Sequence, residues 1–287
     1  ANGKLKIDAG KLDNDQGAIL ANLAQLDVAQ LENHLGIVQS GSDLSLNTQQ
    51  LENSEGLISG AAKTTLTVAN SLRQQAGKIS AGALTLNAGT LDSTQKSVIA
   101  ADNADLTIKH NLINTHSELS AIHNLNVISQ ELNNRQGLLL AEQGRLVINT
   151  QQHQVNNQHG KIVAGQAGHL DSGQLDNQQG LVQGDAGVTL NTHGQSVNNM
   201  SAAIVSRQAL AITAGQLNNN QGYIQSAQQA DIQLGSSTLS NENGEISIGT
   251  DLNLNSGTVS NTDGTSSFTT VVTNTSHNLC WFQWIIL

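Results

Sequence analysis

A unit of about 20 residues recurs along nearly the whole chain. No other feature restricts the fold as much, because a segment this short cannot bury an apolar face alone and must stack on its neighbours. Clear copies are Leu12-Asp13-Asn14-Asp15-Gln16-Gly17-Ala18-Ile19-Leu20-Ala21 and Leu175-Asp176-Asn177-Gln178-Gln179-Gly180-Leu181-Val182-Gln183-Gly184. Thirteen repeats open on Leu or Val, from Leu12 to Val259, at spacings of 19 to 23 residues. The third position is Asn in eleven, with Gln74 and Ser93 as exceptions. The sixth is Gly in ten, with Lys96, Ser117 and Ala202 in its place elsewhere. The repeat positions singled out as structural are Asn14 and Gly17, Asn33 and Gly36, Asn53 and Gly56, Asn134 and Gly137, Asn177 and Gly180, Asn219 and Gly222, and Asn241 and Gly244. The eighth position is aliphatic in twelve repeats, and Ala, Ser or Gly stands at the tenth in the first eleven.

A second apolar pair follows at alternate positions, as in Leu44/Leu46, Leu66/Val68, Leu84/Leu86, Leu106/Ile108 and Leu146/Ile148. Alternation is the period of a half-buried strand, and Gly or Asn interrupts every segment before a helical face could form. Each repeat therefore predicts two or three strands of three to five residues joined by tight corners. Like strands of successive repeats pair in parallel, about 4.8 Å apart. The expected fold class is all-β, a right-handed parallel β-helix of about 13 coils. Gly at the sixth position is expected at a corner with positive φ. Asn at the third position tolerates such corners, and its amide can bond its copies above and below as a ladder. The chain has no proline, which would remove a ladder N–H.

Composition narrows the function. The net charge of −10 disfavours nucleic-acid binding through the phosphate backbone. A single Cys280 forms no internal disulfide, and no apolar run of 18 residues exists, so no integral membrane segment is expected. Charged residues are 12%, as expected where stacking sets like side chains side by side. Catalysis on a β-helix needs clustered carboxylates, usually walled by long loops. The narrow range of spacings leaves no room for such loops. Asp13, Glu32, Glu52, Asp92 and Asp176 occur at the second repeat position and read as a solvated edge column. His110, His116, His123, His153 and His159 lack a short His-x-His spacing or a Cys partner, and read as surface residues. No catalytic, cofactor-binding or metal site is expected, and no cofactor.

The unit Leu-x-Asn-x-x-Gly-x-Ile-x-Ala followed by Leu-x-Leu resembles the haemagglutinin repeat of filamentous haemagglutinins. The resemblance covers about residues 5–265. These are large exoproteins of Gram-negative bacteria, secreted through an outer-membrane two-partner transporter. The group includes adhesins, haemolysins and contact-dependent growth inhibition proteins. The resemblance implies a secreted or cell-surface shaft, a transporter as partner of the parent protein, and an unassigned receptor. It carries no receptor-binding residue onto a position here. Four functional readings stay open: an adhesin shaft, the stalk of a toxin-delivering exoprotein, a β-helical carbohydrate-active enzyme, and a functional amyloid of Gln/Asn-rich repeats. The first is taken as the expectation, with no enzyme activity.

Two domains are expected: a repeat shaft over 1–265 and a non-repeat tail over 266–287. The tail gathers Phe268, Cys280, Trp281, Phe282 and Trp284. It reads as an end cap, as an altered reading frame, or as a membrane or partner contact. The chain opens on Ala1 and its one methionine is Met200, so a piece of a longer protein is expected, and a missing signal peptide carries no weight.

Overall fold

A computed structural model of the chain describes residues 3–267 and 270–273. All its regular elements are β-strands, and the strands of successive repeats pair in parallel. The chain forms a β-solenoid of about 13 coils with ~20 residues in each. It divides into two compact units, Ala1–Glu142 and Gln143–Leu287.

The C-terminal unit has the simpler plan, three parallel sheets with one strand from each coil. The first sheet holds Lys161–Ala164, Leu181–Gly184, Ala203–Ser206, Tyr223–Ser226, Glu245–Ile248 and Thr265–Ser267. The second runs from Leu146–Asn149 to Asp251–Asn255 and Thr270–Thr273. The third runs from Val155–Asn156 to Thr258–Ser260. Strands are two to five residues long. In the N-terminal unit the same three sides exist, but strands run on round the corners. Leu57–Arg73 spans 17 residues and Lys78–Asp92 spans 15, with the register slipping at Gly60/Lys63 and Val68/Ser71. These strands exceed the three to five residues expected, because bulges let one strand bend and keep its pairing.

Alternation places the aliphatic residues inside. In the first sheet of the N-terminal unit Val38, Ile58, Ile79, Ile99, Leu119 and Leu139 form one column, each no more than 1% exposed. Ile162, Val182, Ile204 and Ile224 do the same in the C-terminal unit. Burying each such side chain contributes roughly 1.5–3 kcal/mol.

Three details differ from the sequence reading. The coil opening at Leu91 carries one extra residue: Ile99, not Val98, aligns with Ile79, so Ser97 and not Lys96 takes the sixth position. Both residues are aliphatic and adjacent, so alternation alone could not choose between them. Likewise Leu46 pairs with Leu66 and Leu44 with Thr64, so Leu66/Val68 are the second and third members of an inward triplet that Thr64 opens. In the repeat opening at Val155, Gly168 takes the first inward place of the pair, against Leu146 and Val188.

The tenth position bends the wall with small residues: Ser40, Gly60, Ala121, Ala141, Ala164, Gly184, Ser206 and Ser226 are buried there. Ser40, Ser206 and Ser226 also close the corner, donating from the hydroxyl to the carbonyl of Asp43, Ala209 and Gln229 at 2.7, 2.7 and 2.8 Å. Strands at Thr265–Ser267 and Thr270–Thr273 continue the stack past residue 265. Phe268 and the segment with Cys280, Trp281, Phe282 and Trp284 lie outside the described residues. So do the cap, reading-frame and contact readings of that segment.

Candidate functional site

The residues shared by most coils, Asn at the third position and Gly at the sixth, meet at the corner between the third and first sheets. Asn at the third position begins a four-residue turn, in which the Gly at the sixth donates its N–H to the Asn carbonyl: Gly17 to Asn14 at 2.9 Å, Gly56 to Asn53 at 3.1 Å, Gly180 to Asn177 at 2.8 Å. The Asn side chain points inward. Asn33, Asn53, Asn134, Asn177, Asn219 and Asn241 are fully buried, and Asn14, at the start of the stack, is 7% exposed.

Their amides bond directly along the stack. In the N-terminal unit Asn14 Nδ2 donates to Asn33 Oδ1 at 2.6 Å, and Asn33 to Asn53 at 2.6 Å. Asn53 donates to Gln74 Oε1 at 2.7 Å, and Asn114 to Asn134 Oδ1 at 2.7 Å. In the C-terminal unit the chain of bonds is continuous: Asn157, Asn177, Asn199, Asn219, Asn241 and Asn261, each 2.6–2.8 Å from the next. Most of these Nδ2 groups also lie near two backbone carbonyls, as Asn219 does with Gly222 at 3.3 Å and Glu245 at 3.1 Å. A buried amide left unbonded would cost about 1–3 kcal/mol, so this column places polar groups in the core without that penalty.

The corner works differently from the sequence expectation. Positive φ falls on the fifth residue, not on the sixth glycine and not on the Asn. Gln16, Leu35, Glu55, Ala76, Gln136, Gln179, Gln221 and Asn243 have φ between 51° and 56°. The glycine is needed for close approach instead. A β-carbon on Gly56 would collide with the Asn33 carbonyl oxygen of the preceding coil, and one on Gly222 with that of Asn199. The common residue type at position six masked the strain at position five, where the type varies from Gln to Leu, Glu, Ala and Asn.

The exceptions interrupt the column. Ser93 has no amide, and its hydroxyl bonds Ser97 Oγ. On either side, Gln74 Nε2 and Asn114 Oδ1 are buried without a hydrogen-bond partner. Gln95 and Lys96 both take positive φ, at 60° and 66°, where the extra residue is absorbed.

The acidic edge column holds local partners. Glu32 pairs with Lys11 at 2.7 Å and Glu52 with Arg73 at 3.6 Å. The bond from Glu32 raises the Lys11 pKa above its ordinary value. Asp92 accepts from Gln75 Nε2 at 2.7 Å, and Asp176 from Gln158 Nε2 at 2.7 Å. Asp13 accepts the N–H of Asp15 at 3.1 Å. These side chains are held by near neighbours, and such exposed ion pairs contribute little to stability. Among the described residues, three groups able to share one cation come together at Asp13, Asp15 and Glu32, with no histidine among them. His116 and His159 stand at the left-handed fifth position, and His153 lies against the carbonyls of Thr150 and Gln151. His193 Nε2 meets Asp171 Oδ1 at 2.6 Å, exposed, a pair the spacing did not single out.

An open groove of about 560 Å³ crosses the second sheet of the C-terminal unit, lined mostly by small residues such as Ala167, Gly187, Ala209 and Ala211. Asp231 at its side accepts from Asn253 Nδ2 at 2.9 Å. No helix among the described residues is long and apolar enough to cross a membrane.

No curated protein and no solved structure gives a match. The family model of the haemagglutinin repeat matches residues 1–76, 55–152, 123–201, 185–232 and 226–279. Those matches run across the coils that carry the Asn column, and the chain belongs to the haemagglutinin-repeat family.

Proposed function

We propose that the chain is a shaft segment of a secreted, surface-displayed filamentous haemagglutinin-like adhesin, and that it is not an enzyme. The carrying observation is the Asn column in coils matched by haemagglutinin repeats, a structural device that fixes the corner of each coil and keeps its core polar groups bonded. Carboxylates bonded to neighbouring amides and cations support the non-catalytic reading. In this reading the site residues are structural, from Asn14 and Gly17 to Asn241 and Gly244. The repeat region over 1–265 forms one functional domain, and the strands at Thr265–Ser267 and Thr270–Thr273 carry its stack into the segment that follows. The parent protein would leave the cell through an outer-membrane two-partner transporter and meet a receptor on a host or neighbouring cell. A shaft that ends in a delivered toxin is the second reading, supported by the same repeats.

An antibody raised against this chain tests the proposal on intact cells. Surface staining that disappears when the transporter gene is deleted is expected, together with blocked adhesion. Staining only after lysis would sink it. Blocked killing of neighbouring cells with adhesion intact would favour the toxin stalk.

A further inference from the structure

The first sheet of the N-terminal unit shows an unusual outward face. In register from coil to coil, one outward row reads Ile37, Leu57, Lys78, Val98, Glu118 and Leu138. The row beside it carries only short side chains over the middle coils, Ser80, Ala100 and Ser120. The second sheet turns out polar residues instead, such as Asp27, Asn47 and Thr67. The third turns out charges that pair within the chain, as Glu32 does with Lys11. Lys78 and Glu118 form no ion pair among the described residues. They lie one strand to either side of Val98, about 4.8 Å away each, and are opposite in sign.

We propose that this face docks on the same face of a second copy of the chain, antiparallel, about a two-fold axis along the Val98 strand. The row Leu57, Lys78, Val98, Glu118, Leu138 is complementary to its own reverse. Under that axis Val98 meets Val98, Lys78 meets Glu118 of the second copy on both sides, and Leu57 meets Leu138. A two-fold interface requires such self-complementarity. A parallel, in-register arrangement would set Lys78 on Lys78 and Glu118 on Glu118, and like-charge contacts are unfavourable. The short side chains of the adjacent row let the two sheets approach to about 10 Å, the usual face-to-face distance.

The test is sedimentation velocity of the full chain over a concentration series, with circular dichroism as a check that each variant folds. The wild type should show a monomer–dimer equilibrium. Lys78→Glu alone and Glu118→Lys alone should each raise the dimer dissociation constant about tenfold or more, and the double variant K78E/E118K should restore it. Val98→Asp, which places two like charges on the axis, should leave monomer. A wild type that stays monomeric at every concentration overturns the proposal. So do single reversals that leave a dimer unchanged, or a double reversal that fails to restore it.

Discussion

The amide column is unbroken from Asn157 to Asn261 in the C-terminal unit, whereas in the N-terminal unit it stops at Gln74 and resumes at Asn114. The backbone pairing does not stop there. Lys78–Ala88 and Val98–Ile108 stay in register across the interruption, and Ile79, Ile99 and Leu119 stay buried. The comparison separates two roles. Aliphatic columns hold the coils together, and the Asn column fixes the corner and keeps its core polar groups bonded. Where the column fails, the cost is local: two orphaned amide atoms and an extra residue in the turn.

The largest expected effect tests the role both units share. Leu139→Asp in the N-terminal unit and Ile204→Asp in the C-terminal unit each place an unpaired charge in a dry column. Each should cost more than about 4 kcal/mol or prevent folding, read by urea unfolding and circular dichroism. An unchanged melting curve for either would show that its column does not hold the stack.

Next in size comes a change that should split the two regions. Asn199→Ala leaves Asn219 Oδ1 without its donor and Asn177 Nδ2 with only the Ala203 carbonyl, and should destabilise by about 2–4 kcal/mol. Ser93→Ala, at the equivalent place in the interrupted stretch, loses the bond to Ser97 Oγ but no ladder bond, and should cost about 1 kcal/mol. Equal losses from the two variants would break the distinction drawn above.

A gain is expected from repair. Ser93→Asn supplies an acceptor for Gln74 Nε2 and a donor for Asn114 Oδ1, and should add about 1–2 kcal/mol. Hydrogen exchange of residues 91–98 should slow in that variant. Exchange at the wild-type rate would mean that the extra residue, and not the missing amide, sets local stability.

The smallest effect concerns the strained fifth position. Ala76, at φ 53°, sits where glycine is favoured. Ala76→Gly should stabilise by a few tenths to about 1 kcal/mol in thermal melts. Gly77→Ala beside it should destabilise, since its β-carbon would strike the Asn53 carbonyl. If both variants behave alike, close approach is not the reason for the glycine.

How much of this was legible in the sequence follows from what repeats. Stacking forces the same answer on every coil, so alternation at Leu84/Leu86 or Leu210/Ile212 reports burial directly. The Asn at position three was readable as a ladder for the same reason. The left-handed residue was not: Gln16, Leu35, Glu55 and Ala76 share no chemistry, because the turn imposes their φ and the side chain only tolerates it. The one-residue insertion near Lys96 was hidden by Val98 and Ile99, two neighbouring aliphatics that satisfy the pattern equally. The Lys78 and Glu118 pair was invisible until the register set them on one row.

Every link in the Asn column donates in one sense, from the earlier coil to the later. The amide dipoles therefore add, and the two ends of such a column differ in kind: one offers a bare oxygen, the other bare N–H groups. A coil offered upside down would bring oxygen to oxygen or hydrogen to hydrogen, so the thread accepts new coils in a single orientation.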